Sequence, residues 1–320
     1  MLALGMLNSS NNPAVGIDLG GTSVKAALVS PHLEILEHEA VPTDTSSQAA
    51  LLDSIVALVA RVRGEREIAG VGFGLPSQIN QITGEVADST NVPIAHVAFR
   101  TEMQRRLSLA VEVDNDANVA GYAETLVGSA RGMTHVIMLT LGTGVGGAIV
   151  SDGKIYRGAT GFAGELGHMV VAENGPRCQG HCPNHGCLEV MASAVGVLHA
   201  ANEVADQRPA GTLAATRSAG LLDVHHVIDQ AIAGDADCVQ ALAQVGRHLG
   251  VGIANYINIF NPQAVVVGGG ISAAGDLILG PASAEAESRA LRAPLGECRI
   301  LPAKLGNEAG VLGAAALMFS

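Results

Sequence analysis

The stretch Val15-Gly-Ile-Asp-Leu-Gly-Gly-Thr22 decides the fold. An apolar run enters the glycine doublet and a second apolar run, Ala26–Val29, leaves it, so two strands joined by a tight turn at Gly20-Gly21 are expected. The layout recurs at Leu139–Ile149, where Leu141-Gly-Thr-Gly-Val-Gly-Gly147 separates two apolar runs. A third cluster, Val265-Val-Val-Gly-Gly-Gly270, reads as a strand running into a glycine turn. Glycine lets backbone come close to a ligand and aim successive N–H groups at an anion. Two such hairpins could hold a polyphosphate; the alternative for each is a plain turn. Neither has P-loop spacing, and no G-x-G-x-x-G opens a helix after the first strand.

The repeated strand, glycine turn and strand look like an internal duplication. Between the repeats, Ser47–Arg63 carries apolar residues at Leu51, Leu52, Ile55, Val56, Leu58, Val59 and Val62, a helical stripe. Ile68–Phe73 and Val111–Val113 read as strands, and Ala117–Leu126 as a helix with Asp116 as candidate N-cap. Ala309–Met318 reads as an apolar, alanine-rich helix. The order is α/β.

Composition narrows the class. The chain has 320 residues, 40 of them glycine, with 48% hydrophobic and 15% charged residues. That hydrophobic fraction excludes disorder, and the length suggests two domains. A net charge of -12 leaves no general basic face, so neither nucleic acid nor anionic membrane is an expected partner. The charge-free stretches Gly132–Ser151 and Leu249–Gly275 are too punctuated by glycine, asparagine and proline to read as membrane spans. Met1–Asn12 shows no basic region followed by an apolar run, so a cytoplasmic protein is expected.

Cys178, Cys182 and Cys187 fall in one segment spaced Cys-x3-Cys-x4-Cys. In a cytoplasmic chain such a cluster points to metal, with free thiols or a redox pair as the alternative. Zinc wants a fourth ligand: His168 lies upstream, and His181 and His185 are rivals within the loop. Four protein ligands would close the site and make it structural. Cys238 and Cys298 stand alone and read as buried small apolar residues. Asp114-Asn-Asp-Ala-Asn118 follows a strand and precedes a helix, so Asp116 suits either a general base or a helix cap. Glu165 and Glu189 flank the cysteine loop, and a metal-pinned loop would hold both rigidly.

Taken in order, Asp18-Leu-Gly-Gly-Thr22, Asn115-Asp-Ala-Asn118, Gly142-Thr-Gly-Val-Gly-Gly147, Gly164-Glu-Leu-Gly-His168 and Gly186-Cys-Leu-Glu189 resemble the ROK family of sugar kinases and repressors. The resemblance runs from about Val15 to the C-terminus. It implies a two-domain actin-like ATPase (ribonuclease-H-like) α/β fold. A smaller N-terminal domain would span 1–116, joined by the C-terminal helix 309–320, and a larger one 117–308.

The resemblance also implies roles. Asp18, Gly20, Gly21, Thr22 and Lys25, with Gly142, Thr143 and Gly144, would hold the phosphates of ATP, Asp18 lying near Mg2+. Gly268, Gly269 and Gly270 would lie under the adenosine. Asp116 matches the catalytic base, and Asn91, Asn115, Asp116, Glu165, His168 and Glu189 match sugar-hydroxyl contacts. His168, Cys178, Cys182 and Cys187 would bind structural Zn2+, so His168 would serve metal and sugar through its two ring nitrogens. A homodimer is what the family suggests.

This sequence departs from the family pattern at three places. The usual Cys-x-Cys has two extra residues here, Ser77 stands where glycine is usual, and a tryptophan often found after the Asn-x-Pro segment is missing. A wider loop with zinc retained is expected, and the sugar-side departures bear on substrate identity. With no tryptophan in the chain, sugar would be held by hydroxyl hydrogen bonds rather than a large stacking platform. Glucose is the first expectation, then N-acetylmannosamine or N-acetylglucosamine, with fructose, allose and cyclitols behind. A repressor would carry a helix-turn-helix, whereas only Met1–Ala14, without basic character, precede the first hairpin. A non-catalytic sugar-binding protein or a glycosidase would leave the phosphate hairpins without a role.

Overall fold

The computed structural model describes residues 11–89 and 92–320, and the chain forms two compact units. The first comprises residues up to Thr134, then Ala148–Gly164 and Lys304–Ser320; the second comprises His135–Gly147 and Glu165–Ala303. The first unit thus extends past the boundary expected at Asp116 and is the longer of the two.

Its elements follow chain order: β1 (Ala14–Leu19), β2 (Ser23–Val29), β3 (Ile35–Pro42), α1 (Gln48–Arg63), β4 (Val71–Leu75), β5 (Ile79–Asn80), β6 (Glu85–Asp88), β7 (Ala95–Ala98), α2 (Phe99–Leu107), β8 (Val111–Asn115) and α3 (Asp116–Leu126). The expected hairpin is present, with β1 antiparallel to β2 and Asp18 opposite Lys25. The main sheet runs β3-β2-β1-β4-β8, with β4 parallel to both β1 and β8. Its register with β8 begins at Val71, so β4 starts later than the apolar pattern from Ile68 indicates. A small antiparallel sheet, β5-β6-β7, stands beside it in the chain.

Helix α1 starts where the stripe predicts, capped by Ser47 Oγ, which accepts from Ala50 N–H at 3.1 Å. It buries Leu51, Leu52, Ile55, Leu58, Val59 and Val62 into the core that also holds Ile17, Phe73 and Val113. Phe73 meets Phe99 of α2 edge-to-face at 5.2 Å between centroids.

The second unit contains β9 (Val136–Leu141), the first half of β10 (Val145–Ser151), α4 (Leu188–Ala192), α5 (Ala194–Gln207), α6 (Thr212–Ser218), α7 (Val224–Ile232), α8 (Ala236–Phe260), β12 (Ala264–Gly268), α9 (Asp276–Arg289), α10 (Arg292–Glu297) and β13 (Arg299–Pro302). The second half of β10 belongs to the first unit, where it pairs with β11 (Lys154–Ile155). Strand order in the second unit is β10-β9-β12-β13, with β12 parallel to β9 and β13. This repeats β2-β1-β4-β8 of the first unit, the duplication its glycine hairpins suggest.

The C-terminal helix α11 (Ala309–Ala316) closes the first unit, two residues shorter than its apolar run. Gly16 and Gly72, aligned across the β1–β4 ladder, face it. A Cβ at Gly16 would lie 1.9 Å from the Val311 carbonyl oxygen, and one at Gly72 1.8 Å from that of Ala314. On its other side, a Cβ at Gly313 would lie 1.8 Å from the Val119 oxygen of α3. Backbone-to-backbone approach on both sides leaves room only for small residues, which explains this helix's alanine-rich sequence.

Gly72→Ala is therefore expected to cost about 3 kcal/mol or more, because backbone cannot step aside as a side chain can. Gly280→Ala is the control: its Cβ would meet nothing within 4 Å inside α9, so it should be neutral or slightly stabilising. Denaturant melts of both variants check the contrast, and an unchanged midpoint for Gly72→Ala would refute it.

Candidate active site

In the first unit, the β1–β2 turn is drawn tight by Gly20 N–H donating to Ser23 O at 2.9 Å. Thr43 braces it from β3's end, its hydroxyl donating to Gly20 O at 2.7 Å and its N–H to Thr22 O at 3.0 Å. Gly21 and Thr22 stay exposed. Lys25 Nζ lies 3.7 Å from Asp18 Oδ2 and 3.5 Å from Asn307 Oδ1. Burial raises the Asp18 carboxyl above its ordinary range, and the Lys25 ammonium opposes that.

The turn from β8 into α3 rests on Asp114, which is 1% exposed. Its carboxylate accepts from Asn115 N–H at 2.8 Å, Asn118 Nδ2 at 2.8 Å and Arg157 Nε at 2.6 Å. These three bonds satisfy a buried charge that would otherwise be costly. The N-cap of α3 is Asn115, not Asp116 as the sequence suggests. Asn115 has the extended backbone a cap needs, and its Oδ1 accepts from Ala117 N–H at 2.9 Å and Asn118 N–H at 3.3 Å. Asp116 instead occupies the first helical position, with Oδ1 accepting from Ala117 N–H at 2.8 Å. Burial pushes the Asp116 carboxyl up to about 6; the Ala117 N–H opposes the shift and the Asp18 charge adds to it. That value suits a base working near neutral pH.

In the second unit, β9 and β10 meet at Gly142-Thr143-Gly144, where Gly142 N–H donates to Gly144 O at 2.9 Å. Glu189, near the start of α4, accepts from Val145 N–H at 3.2 Å. Its carboxylate oxygen would lie 2.4 Å from a Cβ at Gly144, so this turn position has no room for a side chain. Gly268 ends β12, and Gly269 turns away in the left-handed region with φ 89°. The short 3-10 turn Leu166–His168 is pinned from behind by the buried Tyr256, whose hydroxyl donates to Leu166 O at 2.5 Å.

His168 uses its two ring nitrogens in different directions. Nε2 lies 3.9 Å from Glu165 Oε2, while Nδ1 lies 3.6 Å from Cys178 Sγ. The donor atoms of His168, Cys178, Cys182 and Cys187 all lie within 4.8 Å of one another. Tetrahedral zinc with ordinary bond lengths sets sulfur–sulfur edges of about 3.8 Å and sulfur–nitrogen edges of about 3.6 Å. Cys182 Sγ and Cys187 Sγ are 3.8 Å apart, and the sulfur–nitrogen pair above is 3.6 Å, so the donor set fits the ion. Burial raises the Cys178 and Cys187 thiols, whereas hydrogen bonding from Asn184 lowers Cys182. His181 and His185 are exposed and outside this group. Cys238 is buried as expected, but Cys298 is only partly buried.

The sequence-predicted residues thus fall into two sets. The first unit brings together Asp18, Lys25 and the glycine turn, with the charges of Asp18 and Asp116 acting on each other. The second gathers Glu165, His168, Glu189, the cysteines and Gly142–Gly144. Asn91 lies outside the described residues. Sequence reasoning missed Arg157 and Tyr256, which touch the site residues from 43 and 90 positions away and carry no local signal. Ser77 is buried, with no hydrogen-bond partner for its Oγ among the described residues, and its carbonyl lies 3.5 Å from Asn115 Nδ2.

The ROK family model matches residues 14–320. The chain belongs to the ROK family. A glucokinase of Halalkalibacterium halodurans is 35% identical over 307 residues, 93% of this chain and 92% of its own length. The crystal structure of a ROK family glucokinase from Streptomyces griseus, in complex with glucose and AMPPNP, matches with TM-score 0.80 at 31% identity, over 95% of this chain and 98% of that one. A xylose repressor of Caldicellulosiruptor bescii is 29% identical over 98% of this chain but 80% of its own length. The mixed α/β fold of this ROK protein is that of the solved ROK glucokinase. Among the described residues, no helix is long and apolar enough to cross a membrane.

Proposed function

We propose that this chain is an ATP-dependent hexose kinase that phosphorylates glucose on its C6 hydroxyl. The observation that carries the reading is Asp116, a carboxylate with its acidity weakened to about 6, held on a braced turn in a chain similar over nearly its whole length to glucokinases. Phosphoryl transfer asks a protein chiefly for positioning and electrostatic stabilisation. Asp116 accepts the proton of the attacking hydroxyl. Asn91, Asn115, Glu165, His168 and Glu189 hold the sugar hydroxyls, with Asp114 and Arg157 fixing the turn that carries Asn115 and Asp116.

Backbone N–H groups at Gly20–Thr22 and Gly142–Gly144, with Lys25, bind the ATP phosphates, and Gly268–Gly270 lies under the adenosine. Mg2+ accompanies ATP and neutralises phosphate charge, with Asp18 as the nearby carboxylate. His168, Cys178, Cys182 and Cys187 hold one structural zinc ion. Its role is to fix the direction of His168 Nε2 and the start of α4, which carries Glu189. A homodimer working in the cytoplasm completes the reading.

An ADP-release assay over a sugar panel tests it. Glucose should give a kcat/KM at least about tenfold above N-acetylmannosamine and N-acetylglucosamine, a margin that one mismatched substituent typically sets. A higher value for an N-acetylated sugar would move the substrate while keeping the kinase. Glucose binding with no ADP release from any sugar would replace the kinase with a non-catalytic sugar-responsive protein.

A further inference from the structure

One residue of the widened cysteine loop reaches the glycine hairpin. Gln179, between Cys178 and Cys182, donates from Nε2 to Thr143 O at 3.3 Å and to Ser193 Oγ at 3.3 Å. An amide nitrogen carries two hydrogens, so both bonds can form together. Ser193 is itself the N-cap of α5, accepting from Val195 N–H at 3.3 Å. Two more bonds hold the same hairpin: Ala194 N–H donates to Gly142 O at 2.9 Å, and Val145 N–H to Glu189 Oε2 at 3.2 Å.

These contacts fix peptide planes. In a trans peptide the C=O and N–H point in opposite directions. Holding the Gly142 carbonyl against α5 therefore turns the Thr143 N–H away from it. Holding the Thr143 carbonyl against Gln179 does the same for the Gly144 N–H. Two successive N–H groups thus face away from the cysteine loop and α5, the arrangement that binds an anion. The only side chain holding the second of these two planes among the described bonds is Gln179, and it sits between two of the four metal-ligand positions.

We propose that Gln179 is a positioning residue for the nucleotide, transmitting the rigidity of the cysteine loop to the Thr143–Gly144 peptide that faces the ATP phosphates. The inference rests on the reading that Gly142–Gly144 is a phosphate site. It assigns a purpose to one of the three residues between Cys178 and Cys182 in this widened loop.

Gln179→Ala, prepared with one zinc per chain, tests it by two readouts. Amide hydrogen exchange of the 141–146 segment should rise about tenfold, as expected for losing one ordering hydrogen bond. KM for ATP and Kd for Mg-AMPPNP should rise about five- to tenfold, while KM for glucose stays within about twofold. Unchanged exchange overturns the proposal, as does an equal rise in both KM values, which would mean general loosening. Faster exchange with unchanged nucleotide affinity overturns it too, and it would show the hairpin is not the phosphate site. Wild-type protein that releases no ADP with any sugar would instead overturn the kinase reading, and its AMPPNP affinity would still score Gln179.

Discussion

Asp116→Asn is expected to lower kcat for sugar-dependent ADP release by about 10²- to 10⁴-fold, the range a positioned general base supplies. The fold should survive, because the asparagine oxygen can still accept from Ala117 N–H and the helix cap belongs to Asn115. In wild type, kcat/KM should fall about tenfold per pH unit below about 6, where Asp116 takes up its proton. Stability should move the other way. A carboxyl raised by burial binds its proton more tightly folded than unfolded, so its favourable contribution is complete below about pH 4 and lost as pH rises through about 6. Above that, the ionised carboxylate costs at most about 3 kcal/mol, two pKa units' worth. Asp116→Asn should therefore be more stable than wild type at pH 8, with the advantage vanishing near pH 4. Near-normal turnover would remove Asp116 from the mechanism, and a variant less stable at pH 8 would refute the burial argument. The base is thus expected to be a site where function is kept at the expense of stability.

Removal of zinc should have the largest effect on stability. Metal analysis should find about one zinc per chain. At free zinc a thousandfold above Kd, binding the folded state alone stabilises by about 4 kcal/mol, so chelation should lower Tm by roughly 10 °C. Sugar affinity should fall with it, because His168 and Glu189 are held from the cysteine loop. Cys182→Ser should reproduce both losses, leaving three ligands where the ion wants four. Cys298→Ser, outside the cluster, should change neither zinc content nor Tm. Zinc-free protein with an unaltered Tm would sink the structural-metal reading.

These expectations draw unequally on sequence and structure. The two hairpins, the stripe of α1 and the cysteine cluster were legible because each is a local pattern. Turn chemistry, helical period and ligand spacing act within a few residues, and each leaves its mark where it acts. Asp116 was legible as a residue but misread as the cap. Two adjacent polar residues at a helix start compete for that place, and backbone geometry, extended at Asn115, decides between them. The pair Gly16 and Gly72 stood in plain view, yet only the path of α11 explains why neither position admits a side chain.

By itself, then, the sequence determined the class of fold, the ordered motifs and the residue types of the chemistry. Tertiary structure alone decided which polar and charged groups meet: Arg157 with Asp114, Asp18 with Asp116, and Gln179 with the hairpin carbonyl. It also decided where the units divide, because Ala148–Gly164 returns to the first unit after the short excursion His135–Gly147, and α11 after the long one Glu165–Ala303. The physical reason is the range of the forces involved. Propensity and turn preference are properties of neighbours along the chain. Desolvation, ion pairing and peptide orientation depend on neighbours in space, which the chain acquires only by folding.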